Sequence, residues 1–204
     1  GCVVILRHLD PLTHDDVSAL NRFASAQQVA LLSQAGGYET VRPIAGGIEV
    51  PLLHYPLLKG GLTMAYDPRE FTQVNAEMNQ SLVDNTLAYL QPVAGLRILD
   101  LFCGIGNFSL PLVQGGAEVI GVELVVAAVD RARANARANG LDEVQFIVSD
   151  LYREADFIHA LGLVDALVLD PPRSGAGPLL RSWLEVLHPI HAQIVYISCN
   201  PVSF

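Results

Sequence analysis

The chain is 204 residues long, 51% hydrophobic and 16% charged, and its 12 basic and 21 acidic side chains give a formal net charge of −9. This composition excludes a disordered chain, and the acidic balance argues against a broad nucleic-acid-binding surface on these residues. No apolar run approaches the roughly 18 residues of a membrane span, so no membrane partner is expected.

Residues 1–7 read as a strand entered midway rather than a signal peptide, and without an initiator Met the sequence reads as a fragment. After an apolar strand at 3–6, residues 11–26 carry a helical pattern. Thr13 can cap it, Asp15 and Asp16 fall in its first turn, and Val17, Leu20 and Phe23 recur at helical spacing. Short strand candidates follow at 29–32, 39–44, 48–53 and 62–66, punctuated by Gly36-Gly37, Gly46-Gly47 and Gly60-Gly61. Residues 1–70 thus read as a small α+β domain with no catalytic constellation of its own.

A second domain over 71–204 opens with Phe71-Thr72-Gln73-Val74-Asn75 and an amphipathic helix at 76–90, for which Asn75 is the natural cap. From Gly95 the pattern is βαβα. Strands are expected at 97–101, 118–122, 144–148, 164–169 and 193–197, with helices starting near Asn107 and running over 125–139 and 179–187. Pro111 is tolerated only near the first turn of its helix, and Asn139-Gly140 ends the next one. Arg131, Arg133 and Arg137 read as a solvated face. Alternating strands and helices of this kind predict an α/β fold around a parallel sheet.

The strand ends carry the polar residues. Between the first strand and its helix lies Asp100-Leu101-Phe102-Cys103-Gly104-Ile105-Gly106-Asn107-Phe108, in which two glycines remove the Cβ atoms that keep a ligand away. Glu123, 17 residues after Gly106 at the tip of the second strand, can accept hydrogen bonds from both hydroxyls of a ribose. Asp150, at the third tip, can accept from an adenine amino group or cap the segment that follows. Asp170 heads the stiff loop Asp170-Pro171-Pro172-Arg173, and Cys199 stands at the fifth tip before Asn200-Pro201, where a thiolate can face a ligand. Cys103 reads as a packing residue beneath the glycine turn. Cys2, Cys103 and Cys199 show no pair or ligand spacing, so neither a disulfide framework nor a metal site is expected, and a reducing cytoplasm is the natural compartment.

These stretches, Phe71 to Asn75, Asp100 to Phe108, Asp170 to Arg173 and Ser198-Cys199-Asn200-Pro201, resemble the RNA 5-methyluridine methyltransferases, most closely the bacterial 23S ribosomal RNA (uracil-5-)-methyltransferases. The likeness covers essentially the whole chain. It implies a Rossmann-like class I S-adenosylmethionine-dependent methyltransferase sheet, incomplete at its C-terminal end, preceded by a small α+β central domain on the RNA side. It also implies S-adenosylmethionine as cofactor, lined by Gln73, Phe102, Asn107, Glu123, Asp150 and Asp170, with Cys199 as nucleophile. In that chemistry the thiolate adds to C6 of the uracil, which raises electron density at C5 for attack on the sulfonium methyl. A base then removes the C5 proton and the thiolate is eliminated. The uridine must be flipped out of folded RNA to reach such a pocket.

The family's proton-removing glutamate lies downstream of the Cys-Asn-Pro motif and its RNA-binding barrel upstream, so these 204 residues are expected to bind cofactor and turn over poorly. An iron–sulfur cluster is possible in the full-length protein but not in this chain. No protein partner is implied. Three alternatives are a transfer-RNA enzyme of the same family, a 5-methylcytosine or amino-group methyltransferase, and a non-catalytic cofactor- or RNA-binding scaffold. The second wants a cysteine or an aromatic in the Asp-Pro-Pro loop, where Arg173 stands instead.

Overall fold

The computed structural model describes residues 1–58, 61–141, 143–153, 158, 160–177, 180–187 and 192–198. They divide into two units, one of Gly1–His54 with Ala65–Thr72, the other of Tyr55–Met64 with Gln73–Phe204. The tip of a two-stranded ribbon, β4 (Leu53–Leu57) with β5 (Leu62–Tyr66), therefore groups with the second unit. No helix among the described residues is long and apolar enough to cross a membrane.

In the first unit β1 (Val3–Arg7), α1 (His14–Gln27) and β2 (Ala30–Gln34) make a strand–helix–strand with parallel pairing. Thr13 caps α1 in a reciprocal capping box, its Oγ1 accepting from the Asp16 N–H while the Asp16 carboxylate accepts from the Thr13 N–H. Ala24, Leu31 and Ile44 form its core. The strand expected at 39–44 shrinks to β3 (Arg42–Pro43), antiparallel to β2. Ahead of it a 3₁₀ turn, Tyr38–Thr40, is closed by Thr40, which donates to the Gly37 carbonyl through its N–H at 3.0 Å and its hydroxyl at 2.7 Å. The strand expected at 48–53 does not form. Pro51 has no N–H for a ladder, and extended pairing starts beyond it at Leu53.

The second unit is built on five parallel strands: β6 (Arg97–Leu101), β7 (Glu118–Glu123), β8 (Val144–Val148), β9 (Ala166–Leu169) and β10 (Gln193–Tyr196). Their spatial order, β10-β9-β6-β7-β8, starts the chain in the middle, runs it outward to one edge and then returns it past β6 to the other. Such a reversal, here between β6 and β9, opens a crevice at the carboxyl ends of the strands. Among the flanking helices, α2 (Ala76–Leu90) matches its expected span, with the Asn75 side chain accepting from the Met78 N–H at 2.9 Å. α3 (Ser109–Gln114) starts two residues later than expected, because the glycine turn continues through Phe108. α4 (Val126–Ala138) ends at Asn139, and α5 (Leu180–Leu184) is short.

All four residues of β9, and Ile98 to Leu101 of β6, are buried, as expected of inner strands covered on both faces. Leu99, Leu101, Leu167, Leu169 and Trp183 anchor the core on which the crevice rests. Each fully buried side chain of this size contributes about 1.5–3 kcal/mol. Arg133 is more than part of a solvated face: its guanidinium donates to the Phe146 carbonyl at 2.7 Å and ties α4 to β8.

Candidate cofactor and active site

Register decides which tips meet. Leu101 of β6 is paired with Leu169 of β9 and with Val122 of β7, and Glu123 with Val148 of β8. The residues that follow these positions, Phe102, Asp170 and Ser149-Asp150, therefore emerge at one edge beside Glu123. The Asp170 N–H donates to the Leu101 carbonyl at 3.4 Å and the Cys103 N–H to the Val122 carbonyl at 3.1 Å.

The glycine turn leaves β6 through three left-handed residues, Phe102 (φ 64°), Gly104 (φ 55°) and Gly106 (φ 91°). A bulky residue in this region costs of order 1–3 kcal/mol and persists only where its surroundings hold it. The Phe102 ring is held by Tyr152 and Trp183, at centroid distances of 5.7 and 5.8 Å. The two glycines differ in role. A Cβ at Gly106 would press on Leu110, Phe146 and Ala132, so this glycine permits close packing of the turn. A Cβ at Gly104 would meet nothing within 4 Å, so this one borders open space, the cradle a ligand backbone needs.

Glu123 is tied to that cradle. Its Oε2 accepts from the Gly104 N–H at 3.2 Å and its Oε1 from the Val125 N–H at 3.0 Å. Asp150 takes the capping role: its Oδ1 accepts from the Tyr152 N–H at 2.9 Å and its Oδ2 lies 3.5 Å from Arg153 Nε. The Gln73 amide donates to Asp170 Oδ2 at 3.4 Å, reaching the β9 tip from just ahead of α2. Asn107 is turned toward α2 and the ribbon rather than the open edge. Its Oδ1 accepts from the Tyr55 hydroxyl at 2.9 Å and from Asn79 Nδ2 at 3.0 Å, and its Nδ2 donates to Asn79 Oδ1 at 2.8 Å. Cys199 lies outside the described residues; β10, which leads toward it, is registered so that Tyr196 lies beside Leu169.

Asp100 escaped the sequence reading. It is fully buried, with one carboxylate oxygen accepting from the Ser109 hydroxyl at 2.5 Å and the other without a partner. Burial pushes its carboxyl up to about 7; the nearby Asp170 and Glu123 charges add to the rise and the Ser109 hydroxyl opposes it. Burial likewise raises Asp170 to about 6, against the Gln73 hydrogen bond. Cys103 is buried, and burial, reinforced by Asp100 and Glu123, raises its thiol well above the usual range; it packs as expected and is no nucleophile. An acid flanked by the apolar Ile98, Leu99 and Leu101 was the available signal for Asp100. Asn79 and Tyr55 carried none, because each looks like an ordinary polar residue until the turn folds against it.

Among the described residues Glu123 and Asp170 form no ion pair, so the edge presents two carboxyls without a cationic partner beside an open backbone cradle. That combination suits a ligand with hydroxyls and positive charge. By contrast, a shallow groove of about 440 Å³ bordered by Leu87, Pro92, Pro111 and Gln114 has no titratable side chain in its wall and offers no chemistry.

Residues 57–204 match the family model described as tRNA (uracil-5-)-methyltransferase. A curated relative from Shewanella amazonensis, 23S rRNA (uracil(1939)-C(5))-methyltransferase RlmD, is 44% identical over 203 residues, covering 100% of this chain and 44% of that protein. Its counterpart from Thiobacillus denitrificans is 43% identical, covering 98% of this chain and 46% of that one. The chain thus spans less than half the length of these relatives. Among solved structures, the Pyrococcus abyssi tRNA (uracil-54, C5)-methyltransferase in complex with S-adenosyl-L-homocysteine superposes with a TM-score of 0.68 at 27% identity, covering 86% of this chain and 42% of that one. The α/β Rossmann-like methyltransferase sheet expected from the sequence is the sheet observed.

Proposed function

From the premise that this chain belongs to the tRNA (uracil-5-)-methyltransferase family, we propose that the protein carrying it methylates C5 of a uridine in 23S ribosomal RNA, with S-adenosylmethionine as methyl donor. The observation that carries the cofactor reading is the strand-tip edge, where the open cradle at Gly104 is joined by hydrogen bond to Glu123. Ribosomal rather than transfer RNA is chosen because the curated ribosomal-RNA relatives are 43–44% identical across nearly the whole chain, against 27% for the transfer-RNA enzyme.

The residues present fit the cofactor. Glu123 holds the ribose hydroxyls, Asp150 has lone pairs left for the adenine amino group, and Phe102 offers a ring face. Gln73 and Asp170 bound the side from which the reacting base approaches, and the Asn107 backbone closes the turn. S-adenosylmethionine supplies the methyl group as a sulfonium electrophile. The carboxylates favour its cationic end, and the buried sheet below the edge excludes water. Cys199 adds to C6 of the uracil so that its electron pair becomes the new S–C bond and the ring's π electrons shift toward C5 and O4; once C5 has taken the methyl group and a base has removed the C5 proton, elimination returns the thiolate.

Two measurements on the full-length protein test this. Calorimetric binding of S-adenosylhomocysteine should be present and should fall at least about tenfold in Glu123→Ala, which loses charge-assisted bonds to ligand and loop. A 23S fragment carrying 5-fluorouridine should form a stable adduct that Cys199→Ala abolishes. Adduct formation on transfer RNA alone would move the substrate to the other branch of the family, and absence of cofactor binding would end the reading.

A further inference from the structure

The turn from Phe102 to Phe108 shapes the cofactor edge and is closed by a backbone bond from the Gly106 N–H to the Cys103 carbonyl at 2.9 Å. Three of its residues have positive φ, and α3, which follows, is only six residues long with no side-chain cap at Phe108. Such a turn needs its conformation imposed from outside. Beyond the sheet, Tyr152 and Trp183 flank the Phe102 ring and the Asn135 amide of α4 donates to the Ile105 carbonyl at 3.2 Å, while two further supports meet at Asn107. Asn79, on α2 and 2% exposed, forms a reciprocal amide pair with Asn107, and Tyr55, on the ribbon tip, donates its hydroxyl to the same Asn107 oxygen. These bonds occupy both lone pairs of that oxygen and one of the two amide hydrogens. The Asn107 side chain can therefore give a ligand at most a single N–H. Its larger contribution is to anchor the turn whose Gly104 N–H meets Glu123.

We propose that Asn79 and Tyr55 are positioning residues for the cofactor edge, acting through the Asn107 amide to hold the Gly104–Asn107 turn where the cradle stays open and aligned with Glu123. The inference rests on the cofactor reading above. It makes α2 a strut for both sides of the crevice, since Gln73 just ahead of it meets Asp170 and Asn79 within it meets the turn. Neither the Tyr55 ring nor the Asn79 amide need touch the cofactor.

The test compares affinity for S-adenosylhomocysteine with fold stability in the full-length protein. Tyr55→Phe removes only an oxygen and should weaken binding about three- to tenfold, the worth of one neutral hydrogen bond. Asn79→Asp offers a stricter signature. A carboxylate there sets an acceptor against the Asn107 oxygen whichever way that amide turns, whereas a protonated carboxyl restores the reciprocal pair. Relative to the unaltered protein at the same pH, its affinity should be down at least about tenfold at pH 8, and that deficit should shrink toward parity near pH 5.5. Asp100, Asp170 and Glu123 are neighbouring carboxyls present in the unaltered protein as well, so that protein at each pH is the control for their titration.

Lowered stability with unchanged affinity in both variants overturns the proposal, and so does an Asn79→Asp deficit that is the same at both pH values. If Asn79→Asp does not fold, Tyr55→Phe decides alone. Failure of the unaltered protein to bind S-adenosylhomocysteine overturns the cofactor reading itself, whereas binding that the variants leave intact overturns only this inference.

Discussion

Replacing Asp100 by Asn should alter how stability depends on pH, and the structure gives the size of the change. The Asp100 carboxyl sits at about 7 in the fold against an ordinary 3.8, chiefly through burial. A raised folded value means the native state holds this proton more tightly than the unfolded chain does. Its stabilising contribution is complete below pH 3.8 and is lost as pH rises through about 7. Roughly three pK units at 1.36 kcal/mol each amount to about 4 kcal/mol, of which about 3.5 kcal/mol falls between pH 4 and pH 8. Asparagine removes that dependence. It also brings a constant penalty of about 1–3 kcal/mol, because its amide nitrogen would occupy the position where the carboxylate oxygen now has no partner. The informative quantity is therefore the difference between the two pH profiles, which removes the titration of Asp170 except for its coupling to Asp100. Trp183, the single tryptophan, is buried in this core and reports urea unfolding by fluorescence. The parent should lose about 3.5 kcal/mol relative to Asp100→Asn from pH 4 to pH 8. Profiles parallel to within about half a kcal/mol would show that Asp100 is ionised normally and that burial does not govern it.

Three further outcomes follow from individual contacts. In Gly121→Ala the new Cβ would lie 2.6 Å from Phe146 Cδ1 and 2.9 Å from Cys103 Sγ. Urea unfolding should show a loss of about 1–3 kcal/mol, and unchanged stability would mean that β7 and β8 accommodate the methyl freely. Asn75→Ala removes the cap bond to the Met78 N–H and should cost about 1 kcal/mol in the same assay; a neutral result would place the start of α2 under tertiary control alone. Asp170, at about 6, is protonated below that pH. Affinity for S-adenosylhomocysteine, whose ammonium favours a carboxylate, should fall as pH drops through about 6, and Asp170→Asn should flatten that limb. A limb that survives the substitution would assign it to another group.

Much of this molecule is local in origin and so was legible as sequence. α2 begins and ends where its period and Asn75 dictate, and β6 and β8 match their expected bounds because short runs rich in apolar residues between turn residues have few other conformations. The failures lie where a short apolar run depends on a neighbour. The strand expected at 39–44 kept only Arg42–Pro43 because Thr40 bonds back to Gly37 in a turn, and residues 48–53 lacked a strand because Pro51 interrupts the ladder.

The site shows the same division. Its acids and glycines stand at strand ends, and strand ends are visible as changes from apolar to polar residues, so Glu123 and Asp170 could be read before any coordinates. The alternation of strands and helices was enough for the class of fold, the motif residues carried the family resemblance, and the apolar-to-polar changes marked the sheet edge where the polar residues gather. The tertiary structure decided what each polar group spends its bonds on. It gave Asp150 a cap to make, buried Asp100 with one oxygen orphaned, and turned the Asn107 amide toward Asn79 and Tyr55, 28 and 52 residues away. Those assignments depend on register and on packing between distant segments, and neither burial nor a hydrogen-bond partner at that separation leaves a period or a motif in the chain.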